Sequence, residues 1–170
     1  MNWAFLIFML LHIGGAIIGF GPSFTFPIIG SMGGAEPMHG NFALRLSEKI
    51  ERGIIVPLAI LQAVTGIALI WLAPVDLTKA LWLDLAIILY VIAMAIVFTN
   101  QLPVTARLIE ETKTAPPPPP AGEPGPSGPP PHIAAMIRRV QVGGIALTAL
   151  LLVIIILMVL GTNGAIGPTL

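Results

Sequence analysis

Apolar positions fill this chain in four blocks, separated by stretches of very different character. Residues 3–30, 53–73, 80–102 and 140–160 are almost entirely apolar or small. The last three are close to the ~20 residues that carry a helix across a ~30 Å hydrocarbon layer. The first is longer, roughly 42 Å at 1.5 Å per residue. It must tilt, kink or project, and Pro22 and Pro27 in "GFGPSFTFP" predict a kink or an early helix end there.

The connections differ sharply. "SMGGAEPMHG" reads as a turn-rich loop. "NFALRLSEKIERG" predicts a helical lead-in to the second block, with Asn41 as a candidate cap and Arg45, Lys49 and Arg52 at helical spacing among Glu48 and Glu51. "PVDLT" is a tight turn, and "RLIEETKT" continues the third block as a polar helix end. Ten of residues 115–131 are proline. That excludes helix and sheet and predicts a polyproline-II or unstructured linker of up to ~50 Å at ~3.1 Å per residue. It reads as a spacer, with a ligand for a proline-recognising partner as the alternative. The fold class expected is all-α: a polytopic membrane four-helix bundle, one domain over residues 1–170.

Composition removes the soluble alternative. The 170 residues are 56% hydrophobic and 9% charged, with a mean hydropathy of +0.95. A soluble chain of this length could not hide so much apolar surface, so its solvent is lipid. Formal net charge is zero, which argues against a nucleic-acid partner. With no cysteine, disulfides, thiolate metal sites, iron–sulfur clusters and a cysteine nucleophile are excluded. No Lys or Arg precedes Arg45, so the first block reads as a retained anchor rather than a cleaved leader.

Charge then gives an orientation. Arg45, Lys49, Arg52, Arg107, Lys113, Arg138 and Arg139 all fall on one side, and only Lys79 on the other. The positive-inside rule makes loops 31–52 and 103–139 cytoplasmic and both termini external, in a bacterial-type inner (plasma) membrane. Trp3, Trp71 and Trp82 fall at the opposite ends of their blocks, where they would form an interfacial belt.

Candidate chemistry sits near the midplane. His12, Gln62, Tyr90 and Thr148 each lie eight to ten residues into a block, one hydrogen-bonding side chain per helix, with Thr65 one turn outward from Gln62. Such a layer could simply hold the helices in register. A histidine inside a membrane is also a functional-site hypothesis by default, able to relay protons or to ligate a metal or haem iron. Gly15 and Gly19 share the face of His12 at i+3 and i+7. They offer either close helix packing or room for a flat macrocycle. Met9, one turn before His12, is a candidate soft second ligand or core filler. His39 and His132 read as solvated loop residues, and Asp84 as a cap or a partner of Lys79. No Ser-His-Asp set, Walker loop, H-E-x-x-H or paired carboxylates are present.

"LHIGGAIIGFG", "ERGIIVPLAILQAVTGIALIWLA" and "LLLVIIILMVL" resemble predicted integral membrane proteins of the CopD-like superfamily. Leu-His-x-x-Gly and Thr65-Gly66 carry the resemblance best; it covers the four blocks and not the proline-rich loop. It implies a four-helix membrane bundle. It also implies relatives that include copper-resistance membrane proteins and a haem-binding bacterial protoporphyrinogen oxidase with an important first-helix histidine, which His12 matches by position. That oxidase uses a lysine within the membrane; this chain has no intramembrane Lys or Arg and lacks a Lys-Pro ending to its last block. Oxidase activity is therefore disfavoured.

The function expected is a small, non-enzymatic accessory or assembly subunit of a membrane complex. Its partners are the lipid bilayer and other membrane subunits or further copies of itself. Haem b, or a metal at His12, is the cofactor to test, with Gly15, Gly19, Gln62 and Tyr90 around it. The alternatives are a haem-dependent membrane oxidoreductase and a copper-handling membrane protein.

Overall fold

The computed structural model describes residues 2–73, 76–113 and 128–162. Most of the proline-rich stretch lies outside them. Among the described residues the chain is helical throughout, with no strand. Helix α1 (Trp3–Phe20) passes through a 3₁₀ segment, Gly21–Thr25, into α2 (Phe26–Ala35). Helix α3 (Gly40–Ile50) runs through a π-helical turn, Glu51–Ile55, into α4 (Val56–Leu72). Helix α5 (Leu81–Ile96) does the same through Val97–Gln101 into α6 (Leu102–Thr112), and α7 is Pro131–Thr162. The result is four long helices of 32 or 33 residues, each long and apolar enough to cross a membrane.

The breaks in helix type have local causes. Pro22 sits in the first turn of the 3₁₀ segment and Pro27 in that of α2. The kink expected at "GFGPSF" is thus a tightened turn that lets the helix continue to Ala35. Pro57 and Pro103 each lack the N–H of a regular turn, and their rings crowd the carbonyl four residues back. In both helices a widened turn precedes the proline. Val56 N–H donates to the Glu51 carbonyl and Leu102 N–H to that of Val97, five residues back rather than four. "SMGGAEPMHG", expected as a loop, is helical through Ala35, and only a short turn at residues 36–39 reverses the chain.

The long helices pack as two antiparallel hairpins. In the first, α1 lies along α4 and α2 along α3; in the second, α5 and α6 lie along α7. The hairpins join where α3 meets α6 at the charged end. There Asn41, expected as a cap, donates instead to the Ile109 carbonyl (2.9 Å) and the Thr112 hydroxyl (2.8 Å). Leu102, Leu108, Ile109 and Ile133 are buried at this end. At the opposite end Trp82 is buried with Ala80 and Leu83 against Ile70, Leu157 and Met158. Trp3 and Trp71 are exposed, as belt residues should be, but Trp82 is 3% exposed and serves the core instead. Lys79 pairs with Asp76 (3.1 Å), not with Asp84. The Thr78 hydroxyl and this ammonium hold the Asp76 carboxyl below the usual carboxylate range.

Candidate functional site

His12 lies in the α1–α4 seam, and glycines make the seam close. A Cβ at Gly19 would stand 2.8 Å from Leu58 Cβ, one at Gly15 would stand 3.3 Å from Gln62 Oε1, and one at Gly66 would stand 3.3 Å from His12 Cε1. The first is inside van der Waals contact and the others are tight, so larger residues would push the helices apart. The face opened by Gly15 and Gly19 is therefore occupied by the second long helix. Of the two roles expected for these glycines, close packing is the one the coordinates fill.

The imidazole is held against α4, chiefly by Thr65. His12 Nδ1 lies 2.9 Å from Thr65 Oγ1, and Thr65 is 1% exposed. The Thr65 hydroxyl reaches the Leu61 carbonyl at 2.9 Å and that of Gln62 at 3.2 Å. It has one proton to give. When that proton goes to Leu61, one turn back on its own helix, the hydroxyl accepts from Nδ1–H. That tautomer leaves Nε2 as a bare lone pair, the form in which an imidazole binds a metal. Thr65 was legible in the sequence only as a neighbour of the polar layer; its Thr-Gly pairing is the signal that it faces the histidine.

The rest of the expected layer separates into independent contacts. Tyr90 donates to the Ala59 carbonyl at 2.6 Å, a bond from α5 to α4 that joins the hairpins. Thr148 donates to Gly144 on its own helix at 2.9 Å. Gln62 Oε1 is buried beside Gly15 and has no hydrogen-bond partner among the described residues. Four side chains at one depth thus do not converge.

Three buried polar positions were not anticipated, Glu51, Gln101 and Thr105, and the first two lie in π-helical turns. Gln101 donates to the Val140 carbonyl of α7 (3.3 Å), and Asn100 donates to Gln101 Oε1 (3.1 Å) and to the Arg139 carbonyl (3.3 Å). Gly143 admits this pair: a Cβ there would stand 2.6 Å from Asn100 Nδ2. Glu51, the corresponding residue of the first hairpin, is buried. Its π-helical turn packs against α1 and the 3₁₀ segment. The sequence signal for both is the proline that follows within six residues of Glu51 and three of Asn100.

A haem group is fitted by the donor and not by the bed. His12 Nε2 can make one axial bond. Met9, three residues earlier on the same helix, points along the same face and cannot reach the far side of a plane that His12 coordinates. Among the described residues no three His, Asp or Glu side chains gather into a metal site.

The chain matches the model of the predicted integral membrane protein family DUF2269 over residues 6–161. It belongs to that family. No curated protein and no solved structure matches the chain. Membership makes the bilayer the solvent of the four long helices.

Proposed function

We propose that this DUF2269 protein is a non-enzymatic accessory or assembly subunit of a membrane complex. In it, His12 contributes one imidazole ligand to a haem b or metal centre that another subunit completes. The observation carrying this is the Nδ1–Thr65 contact, which fixes the ring and leaves Nε2 bare. A hydrogen bond to the nitrogen on the far side of the ring raises the basicity of a ligating imidazole and holds its direction. Bound haem iron supplies one-electron chemistry. The chain's own residues anchor the ring, keep its proton on Nδ1 and cover one side of it with packed helix. One ligand without a second suits a subunit better than a free-standing oxidoreductase or a copper carrier. The sequence resemblance to the CopD-like superfamily, with its first-helix histidine, points the same way. The excess of Lys and Arg at one end supports an inner-membrane topology with that end cytoplasmic and both termini outside.

The test is an oxidised-minus-reduced absorption spectrum of the gently purified protein with its natural partners. A Soret band that moves on reduction is expected. It should vanish in His12→Ala with membrane insertion intact, and Thr65→Val should weaken retention of the group by about 10–100-fold. A featureless wild-type spectrum with blank metal analysis would make His12 a packing residue.

A further inference from the structure

The four long helices are longer than a membrane needs, and what they do with the excess differs. Thirty-three residues span roughly 50 Å as helix, against a hydrocarbon layer of ~30 Å. Counting about 20 residues from the tryptophan-bearing end, the hydrocarbon stops near Pro22, Arg52, Asn100 and Gly143. Beyond that level α3, α6 and α7 carry charges, whereas α2 carries none over "FPIIGSMGGA". Even so, Ile28 and Met32 of α2 are about 60% exposed, as is Phe42 of α3. Gly33 brings these two helices close, a Cβ there standing 2.7 Å from that of Ala43. Between them opens a groove of about 280 Å³ with Ile29, Met32, Phe42 and Leu46 among its walls. An apolar surface of this kind, set beyond the hydrocarbon, marks an interaction site.

Charge around the groove narrows its occupant. Phe42, Arg45 and Lys49 follow at i, i+3 and i+7, so the two cations border the Phe42 wall. Both are exposed, and neither has an acidic partner among the described residues. The nearby acids are engaged: Glu48 with Arg52 (2.9 Å) and Glu36 with His39 (2.8 Å). A phospholipid would sit there upside down. From the membrane outward the order is Arg52, Lys49, Arg45 and then Phe42, some 15 Å beyond Arg52, so the headgroup would face the hydrocarbon and the tails would face water. A second copy docked groove to groove would bring four cations together with no free acid to offset them.

We infer that the α2–α3 groove at the charged end docks an amphipathic helical segment of a protein partner, apolar on one face and acidic along its edge. The apolar face fills the groove, and the acids pair with Arg45 and Lys49. This stands apart from the His12 site, which lies in the α1–α4 part of the same hairpin.

The test uses the full chain in phosphatidylcholine nanodiscs, which carry no net lipid charge. The probes are two fluorescent peptides of about five helical turns, with Leu at i, i+3, i+4 and i+7. One has Glu at the remaining positions and the other has Lys. The Glu peptide should bind saturably, the Lys peptide at least about tenfold more weakly. Phe42→Asp, Met32→Asp and the pair Arg45→Glu/Lys49→Glu should each weaken the Glu peptide by about tenfold or more, while Arg138→Glu on α7 leaves it unchanged. Using both walls separates loss of the groove from misfolding of one variant. Equal binding of the two peptides, equal binding to empty nanodiscs, or indifference to both Asp variants would overturn the inference. So would a wild-type dimer that Phe42→Asp dissociates, because a second copy would then cover the groove.

Discussion

The two hairpins follow one plan and spend it differently. Each has a long helix widened into a π turn ahead of a proline, and each places a polar residue in the widened turn. In the second hairpin that residue is Gln101, and with Asn100 it grips two carbonyls of α7. In the first it is Glu51, a buried acid for which no hydrogen bond or ion pair is found among the described residues. Along the first seam Gln62 Oε1 is buried with no hydrogen-bond partner among the described residues, and in the second hairpin the buried Trp82 Nε1, packed against Gly161, is in the same state. The hairpins differ at the π turns: in the second the polar residue of the turn is hydrogen-bonded across the seam, and in the first, among the described residues, it is not. Both the His12–Thr65 contact and the α2–α3 groove belong to the first hairpin.

The strongest way to break the contrast is to force the seams open. Gly143→Val places new atoms where Asn100 and Gln101 stand, and Gly19→Val places them on Leu58. Each should cost about 1–3 kcal/mol, with Gly143→Val the larger because two hydrogen bonds to α7 go with it. Gly14→Val, which meets nothing within 4 Å, should be close to neutral. Thermal unfolding in one detergent, compared across the three variants, measures the order. Equal losses at Gly14 and Gly143 would mean that the glycines serve flexibility and not approach.

Next in size is the pair in the π turns. Gln101→Leu removes a donor and leaves Asn100 without its acceptor, so a loss of about 1–2 kcal/mol is expected. Glu51→Gln keeps the shape of a side chain that has no partner to lose. It relieves the burial of a carboxyl and should be neutral or stabilising by up to about 1 kcal/mol. The same unfolding assay reads both signs. A large loss from Glu51→Gln would show that the carboxylate itself holds the turn in place.

How much of this was legible beforehand follows from what a sequence encodes along a helix and what it does not. The four long helices were readable because runs of twenty apolar residues have few other uses. His12 and its Thr65-Gly66 counterpart stood out because polar groups are scarce in such runs. Depth could be counted, residue by residue, from the chain ends of each block. Rotation about the helix axis could not, because a helix apolar on all sides has no polar face to fix it. Trp82 was therefore assigned to the belt when it points inward, and Tyr90 was placed around His12, and Thr148 in its layer, when the one bonds to Ala59 and the other to Gly144 of its own helix. The π turns escaped for a different reason: Pro57 and Pro103 predict a disturbance, while the choice between a kink and a widened turn depends on what packs against it.

Tyr90 and Thr148 supply the finest test, because they differ only in the direction a side chain takes. Tyr90 donates across to the Ala59 carbonyl, a bond printed into the junction of the two hairpins. Thr148 donates to its own helix at Gly144 and joins nothing. Tyr90→Phe should cost about 0.6–2 kcal/mol, the range for a hydrogen bond between helices in lipid. Thr148→Val, nearly the same size, should move stability by less than about 0.5 kcal/mol. If the two losses match, Thr148 has an interhelical partner and a polar layer spans all four helices. If only Tyr90→Phe is felt, the hairpins are linked at mid-depth by that phenol. The His12–Thr65 contact then lies within one hairpin, to one side of that link.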